Sequence, residues 1–97
     1  MKSMKVYQSR SFEKKVKKFN EKEKNELDNE VKKIIQDPSI GSEKKGDLRG
    51  IFVHKFNIHN QMYLLAYRVV KEESLELIMI GPHENYYRDL NTYLKSR

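Results

Sequence analysis

The 97-residue chain carries 20 Lys and Arg against 14 Asp and Glu, a net charge of +6. That length makes one domain with a single modest core, and the charge suits an anionic partner: nucleic acid first, though an acidic protein fits equally. The absence of Cys excludes a disulfide framework and thiolate metal sites. The longest apolar run, residues 62–67, falls far short of a spanning helix or a signal-peptide core, so the expectation is a cytoplasmic protein with no membrane partner.

Residues 1–3 read as a loose end and residues 4–8 as a short strand around Val6. Ser9 or Ser11 can cap the helix that follows, since a serine hydroxyl satisfies an orphan N–H of a first turn. Phe12, Val16 and Phe19 recur at i, i+4 and i+7, one face of that first helix. Asn20 and Glu23 have the spacing of a capping box, which predicts a second helix rather than a continuation of the first. Its apolar stripe is Leu27, Val31, Ile34 and Ile35. The eight lysines and six acidic residues between Glu13 and Lys33 read as the solvated faces of a helical hairpin.

Asp37 and Pro38 end the second helix, because proline disfavours helical geometry in the residue before it. Residues 39–47 have loop composition, and their two glycines do not form a phosphate-binding loop, since no Gly-Lys-Ser or Gly-Lys-Thr step is present. From Gly50 the period changes from 3.6 to 2. In residues 51–57, alternation puts Phe52, His54 and Phe56 on one face and Ile51, Val53 and Lys55 on the other; a bulge or sharp twist is needed to bring His54 and Lys55 to one cleft. Residues 58–61 turn, 62–70 return, 71–74 turn again and 75–80 form a third strand, all antiparallel neighbours on account of the short connections. These strands are apolar on both faces, so one face is expected under the helices and the other under a terminal helix carrying Tyr86, Leu90 and Tyr93, or Tyr87, Leu90 and Leu94.

Leu48, Arg49 and Gly50 before the second strand, His54, Lys55 and Phe56 within it, residues 64–68 in the next, and residues 81–87 after the last follow one another in an order that resembles the RelE/ParE superfamily of toxins from bacterial toxin–antitoxin modules. The resemblance covers nearly the whole chain. It implies a single α+β domain, an antiparallel sheet with an N-terminal helical hairpin packed on it and a short C-terminal helix. It also implies one of two activities, ribosome-dependent cleavage of mRNA or inhibition of DNA gyrase. A histidine two residues after Gly81 and an aromatic six after it are similar to the YafQ-like endonucleases, in which such residues belong to the active site. RelE-type enzymes instead carry arginines where His83 stands and in the strand that here runs from Tyr63 to Tyr67, a difference that favours a histidine-assisted mechanism.

Metal-independent RNA cleavage uses the 2′-hydroxyl as internal nucleophile, so it needs a proton acceptor, cations around the phosphate and a donor for the leaving 5′-oxygen. Histidine suits proton transfer because its ordinary pKa of about 6.5 lies near operating pH. From the residues alone His54 reads as a hydrogen-bonded structural histidine, and His83 serves a helix start as readily as a site; the resemblance assigns both to catalysis. The expected catalytic set is therefore His54, Lys55, His83 and Tyr87, with Arg49, Arg68, Tyr86 and Arg88 binding substrate through charge and base stacking. His59, in a turn, reads as surface. The carboxylates lack metal-ligand spacing, so neither a metal nor another cofactor is expected. The implied partners are a cognate antitoxin, the ribosomal A site and mRNA, and a non-catalytic basic RNA-binding module is the remaining alternative on this scaffold.

Overall fold

Ser9, rather than Ser11, starts the first helix. Its extended backbone leaves strand β1 (Lys5–Gln8), and its hydroxyl accepts from the Phe12 N–H at 3.1 Å, satisfying a donor at the start of α1 (Arg10–Val16). The computed structural model describes residues 5–71 and 73–96, so the end expected at residues 1–3 and the strand start at Met4 lie outside the described residues. At α2 (Glu21–Gln36) the capping box forms as its spacing predicts: Asn20 Oδ1 accepts from the Glu23 N–H and Glu23 Oε1 from the Asn20 N–H, both at 2.8 Å. Asn20→Ala is expected to cost about 1 kcal/mol, a fall of roughly 4–8 °C in melting temperature for a domain of this size. A thermal melt checks it.

Asp37 ends α2 in an extended conformation, as the proline after it requires. The connector that follows is more ordered than its loop composition suggests. Between turns at Pro38–Ile40 and Gly46–Leu48 lies a two-residue strand, β2 (Ser42–Glu43), paired antiparallel to β3 with Ser42 opposite Val53 and Glu43 opposite Phe52. The anchor is Tyr67, fully buried, whose hydroxyl donates to the Pro38 carbonyl at 2.6 Å and accepts from the Gly41 N–H at 3.0 Å. Position 41 has to be glycine for that approach, because a Cβ there would lie 2.7 Å from the Tyr67 oxygen.

The remaining strands are β3 (Phe52–Ile58), β4 (Gln61–Val69) and β5 (Ser74–Pro82), and the sheet order is β1-β5-β4-β3-β2. His59 and Asn60, both in the left-handed region (φ 49° and 66°), make the two-residue turn of the β3–β4 hairpin. Along β3, β4 and β5 the pairing is antiparallel, as the short connections demand, whereas β1 returns to lie parallel to β5 at the edge, Val6 beside Leu75. Each face of the sheet is covered. On one, Phe56, Ile58, Leu65, Tyr67, Leu75, Leu77 and Ile80 meet Phe12 of α1 and Leu27 and Ile34 of α2. On the other, Ile51, Val53, Leu64, Ala66 and Ile78 meet Tyr86 and Leu90 of α3 (Tyr86–Ser96). Both spacings expected for the terminal helix are used, for Tyr87, Tyr93 and Leu94 pack around the two buried residues. A bulge in β5 marks this second face: Ala66 pairs with Met79 but Tyr67 with Leu77, so Ile78 is an extra residue and Ile78 and Met79 both turn toward α3.

Candidate active site

The turn between β5 and α3 is built from its backbone outward. The chain leaves the sheet at Pro82, and the His83 carbonyl accepts from the Tyr86 N–H at 3.2 Å. Asn85 takes a left-handed conformation (φ 60°), and its carbonyl accepts from the Asp89 N–H at 3.1 Å to open α3. Tyr86 then anchors the helix. Its ring is 3% exposed, its hydroxyl donates to the Met79 carbonyl at 2.6 Å, and burial pushes its phenol far above the ordinary tyrosine value. The expectation that Tyr86 stacks on a base therefore gives way to a structural role, because a buried ring has no free face to offer.

Tyr87 is the half-buried member of the pair, set edge-on against Tyr86 with ring centroids 5.7 Å apart, and Lys44 Nζ lies 5.0 Å from its ring centroid. Such a contact holds an ammonium beside an aromatic face. His83 is exposed at the head of the same turn and Arg88 follows in the first turn of α3, where its guanidinium is 3.6 Å from Asp89. Lys55 belongs to this side of the sheet too: it follows Val53 by two residues, is exposed, and sits in one row with Leu64 and Gly81 across β3, β4 and β5. Lys55 and Tyr87 thus lie on the α3 side of the sheet with Lys44 against Tyr87, while His83 and Arg88 are exposed at the turn that leads into α3 and in its first turn.

Three expected residues lie outside the row of Lys55, Leu64 and Gly81. His54 projects to the opposite face, under α2, where its Nε2 is 2.8 Å from Glu30 Oε1 and its ring stacks on Phe56. The strand is regular there, with no bulge to turn His54 toward Lys55. Arg68 shares the α3 face but lies four residues beyond Leu64 along β4, about 13 Å at the strand rise, and its Nε bonds Glu76 Oε1 at 2.9 Å. Arg49 is exposed beside the turn at Gly46–Leu48, where it bridges to Lys44 and lines one cavity with it, and so stays beside the residue that meets Tyr87. Lys44 was not distinguishable in sequence from its neighbours in a charged connector, since only the pairing of β2 brings it to Tyr87. Glu30 was more accessible: it follows Leu27 by three residues, at the margin of the buried stripe of α2.

The pair of Glu30 and His54 ties α2 to the sheet. Burial pushes the Glu30 carboxyl up, but hydrogen bonds from His54 and Lys33 and the charge of both outweigh it and hold the carboxyl below the ordinary glutamate value. A folded value below the unfolded one adds stability that is present above the unfolded value and is lost as pH falls through the folded one. Glu30→Gln is therefore expected to flatten the decline of melting temperature between about pH 5 and pH 3. His54→Gln, which removes a bond on the far face, should lower the melting temperature and leave any activity of the α3 face within a few-fold. An equal loss of melting temperature in wild type and Glu30→Gln across that range would contradict the assignment.

Comparison with known proteins follows the same lines. The family model for the ParE-like toxin of type II bacterial toxin-antitoxin systems matches residues 6–91. Among solved structures, a double arginine-to-alanine variant of the E. coli toxin RelE in the free state superposes with a TM-score of 0.71 at 16% identity, covering 96% of this chain and 97% of that one. The toxin of the intact E. coli RelBE toxin–antitoxin complex gives 0.67 at 18% identity, covering 84% and 99%. No curated protein matches significantly. The likeness to RelE extends over the five-stranded sheet and its helices and concerns the fold.

Proposed function

The chain belongs to the ParE-like toxins of type II bacterial toxin-antitoxin systems, and on that premise we propose that it is a ribosome-dependent, metal-independent mRNA endonuclease that arrests translation and is held in check by a cognate antitoxin. The observation that supports the reading is the exposed His83 at the head of the turn into α3, the helix that packs on the face carrying Lys55 and whose Tyr87 receives Lys44. Attack of a 2′-hydroxyl on the adjacent phosphorus closes a 2′,3′-cyclic phosphate and breaks the bond to the 5′-oxygen. One proton leaves the hydroxyl and one goes to the departing oxygen, and an exposed imidazole is a carrier for such a proton. The charge gathering on the phosphate oxygens needs cations, a role that suits the exposed Lys55 and Arg88. The half-exposed ring of Tyr87 offers a surface for an unstacked base.

Dependence on the ribosome follows from what this face lacks. The turn is exposed and, among the described residues, carries one histidine, so it does little by itself to hold free RNA in an in-line geometry. The ribosomal A site supplies that orientation to the message. Efficient cleavage during translation and weak cleavage of naked mRNA are the consequence.

Gyrase inhibition is the second reading. The family model that matches is the ParE-like one, and the second histidine expected at the site is bound to Glu30 on the far face. Inducible expression with mapping of mRNA 5′ ends separates the two. New ends inside translated codons support the endonuclease, whereas DNA breaks with intact mRNA overturn it in favour of the gyrase reading.

A further inference from the structure

Beyond the α3 face, three lysines gather at a cleft of about 360 Å³ between α1 and the turn into α3. Its floor is residues 79–82 of β5. Pairing with β1 stops at Gln8 opposite Leu77, so this stretch of the strand has no strand beside it on that side among the described residues. One wall is α1 and the lysines around its end, Lys14, Lys15 and Lys18; the other is Tyr86 with the carboxylates of Glu84 and Asp89. Among the described residues no ion pair engages any of the three lysines, and Asp89 already faces Arg88 at 3.6 Å. Lysines favour a helix C-terminus through the macrodipole, which accounts for charge at the end of α1 but not for three ammonium groups lining one cleft beside the sheet.

The position of the cleft gives it a ligand class. Pro82 and Glu84 both line it, and His83 stands between them. A polyanion lying across the His83 turn therefore continues directly into the lysine wall. We propose that this cleft is a phosphate-backbone subsite for RNA, in which Lys14, Lys15 and Lys18 grip the strand on the side of the turn away from Tyr87. The inference rests on the RNA-directed reading above. The phosphates can come from the message being cut or from ribosomal RNA packed around the bound toxin; the chemistry recognised is the same. The carboxylate of Glu84 opposes the grip and tempers it.

Counterion release makes the proposal measurable. Each phosphate neutralised on a single strand contributes about 0.7 to the slope of log affinity against log salt. The test uses the full chain carrying His83→Gln to stop turnover, with a labelled single-stranded RNA oligonucleotide and vacant 70S ribosomes as the two probes. Combining Lys14→Gln, Lys15→Gln and Lys18→Gln is expected to reduce the slope by about 2. The same three positions changed to Arg should keep it, and Glu84→Gln should tighten binding. A reduced slope on the oligonucleotide assigns the subsite to the message, on ribosomes alone to ribosomal RNA, and on both to either strand. An unchanged slope on both probes overturns the proposal, as does weakened antitoxin binding with both slopes intact, which gives the lysines to a protein partner. The two readings fail separately. If wild type cuts mRNA and the slope is unchanged, the subsite falls alone; if the slope drops and wild type leaves mRNA whole, the subsite stands and the nuclease reading falls.

Discussion

His83→Gln is expected to slow mRNA cleavage on translating ribosomes by about 10²-fold or more, the usual range for losing a positioned general acid or base. The side chain is exposed and the turn uses its backbone carbonyl, so the folded state should be preserved and the loss should appear in rate rather than in melting temperature. Tyr87→Ala should also be impaired, with part of the loss appearing as weaker substrate positioning, because the ring that receives Lys44 and that packs on Tyr86 is removed. His59→Gln is the control: it sits exposed in the β3–β4 turn, at a position held by backbone conformation. Growth inhibition and mRNA cleavage are measured for each variant, with antitoxin binding as the check on folding. Full activity in a variant carrying both His83→Gln and Tyr87→Ala would remove the site assignment.

Leu90→Ala should have a large effect on the fold. Leu90 is fully buried between α3 and the sheet, in the cluster with Ile51, Val53, Leu64, Ala66 and Ile78. Truncating a buried leucine costs about 2–5 kcal/mol through lost transfer energy and the cavity left behind, which in a domain of this size corresponds to a fall of roughly 10 °C or more. Because α3 is held to the sheet through this cluster and the Tyr86 hydrogen bond, the start of the helix should loosen with it. Cleavage is then expected to fall even at temperatures where the variant remains folded. Leu90→Met, which nearly conserves volume, should cost less than about 1.5 kcal/mol and retain activity. Loss of melting temperature in Leu90→Ala with wild-type cleavage at low temperature would show that α3 does not position the site.

The distribution of charge gives these experiments a common background. Exposed lysines and arginines surround both the α3 face and the cleft beside α1, and their effect on association falls with salt. Cleavage by variants of His83 or Tyr87 should keep the salt dependence of wild type, whereas variants of the α1 lysines should lose part of it.

Much of the architecture is a local matter, and the residues declare it. The Asn20–Glu23 box starts α2 because both partners lie within one turn. Proline at 38 stops it, and the alternation of Phe52, Val53, His54 and Lys55 assigns each to a face with no knowledge of what covers that face. The antiparallel order of β3, β4 and β5 follows from connections too short for anything else. What lies beyond the reach of such signals was decided by packing between distant segments. Nothing local places β1 parallel to β5, makes a strand of Ser42–Glu43, or chooses Tyr86 over Tyr87 for the interior. The same holds at the candidate site. Sequence order sets His54 beside Lys55, but the pleat separates them, and only the docking of α2 on one face and α3 on the other hands His54 to Glu30 and leaves Lys55 on the face that α3 covers. Periods, caps and turns act over a few residues, whereas the identity of the surface a side chain meets is settled by burial of apolar area contributed from the whole chain.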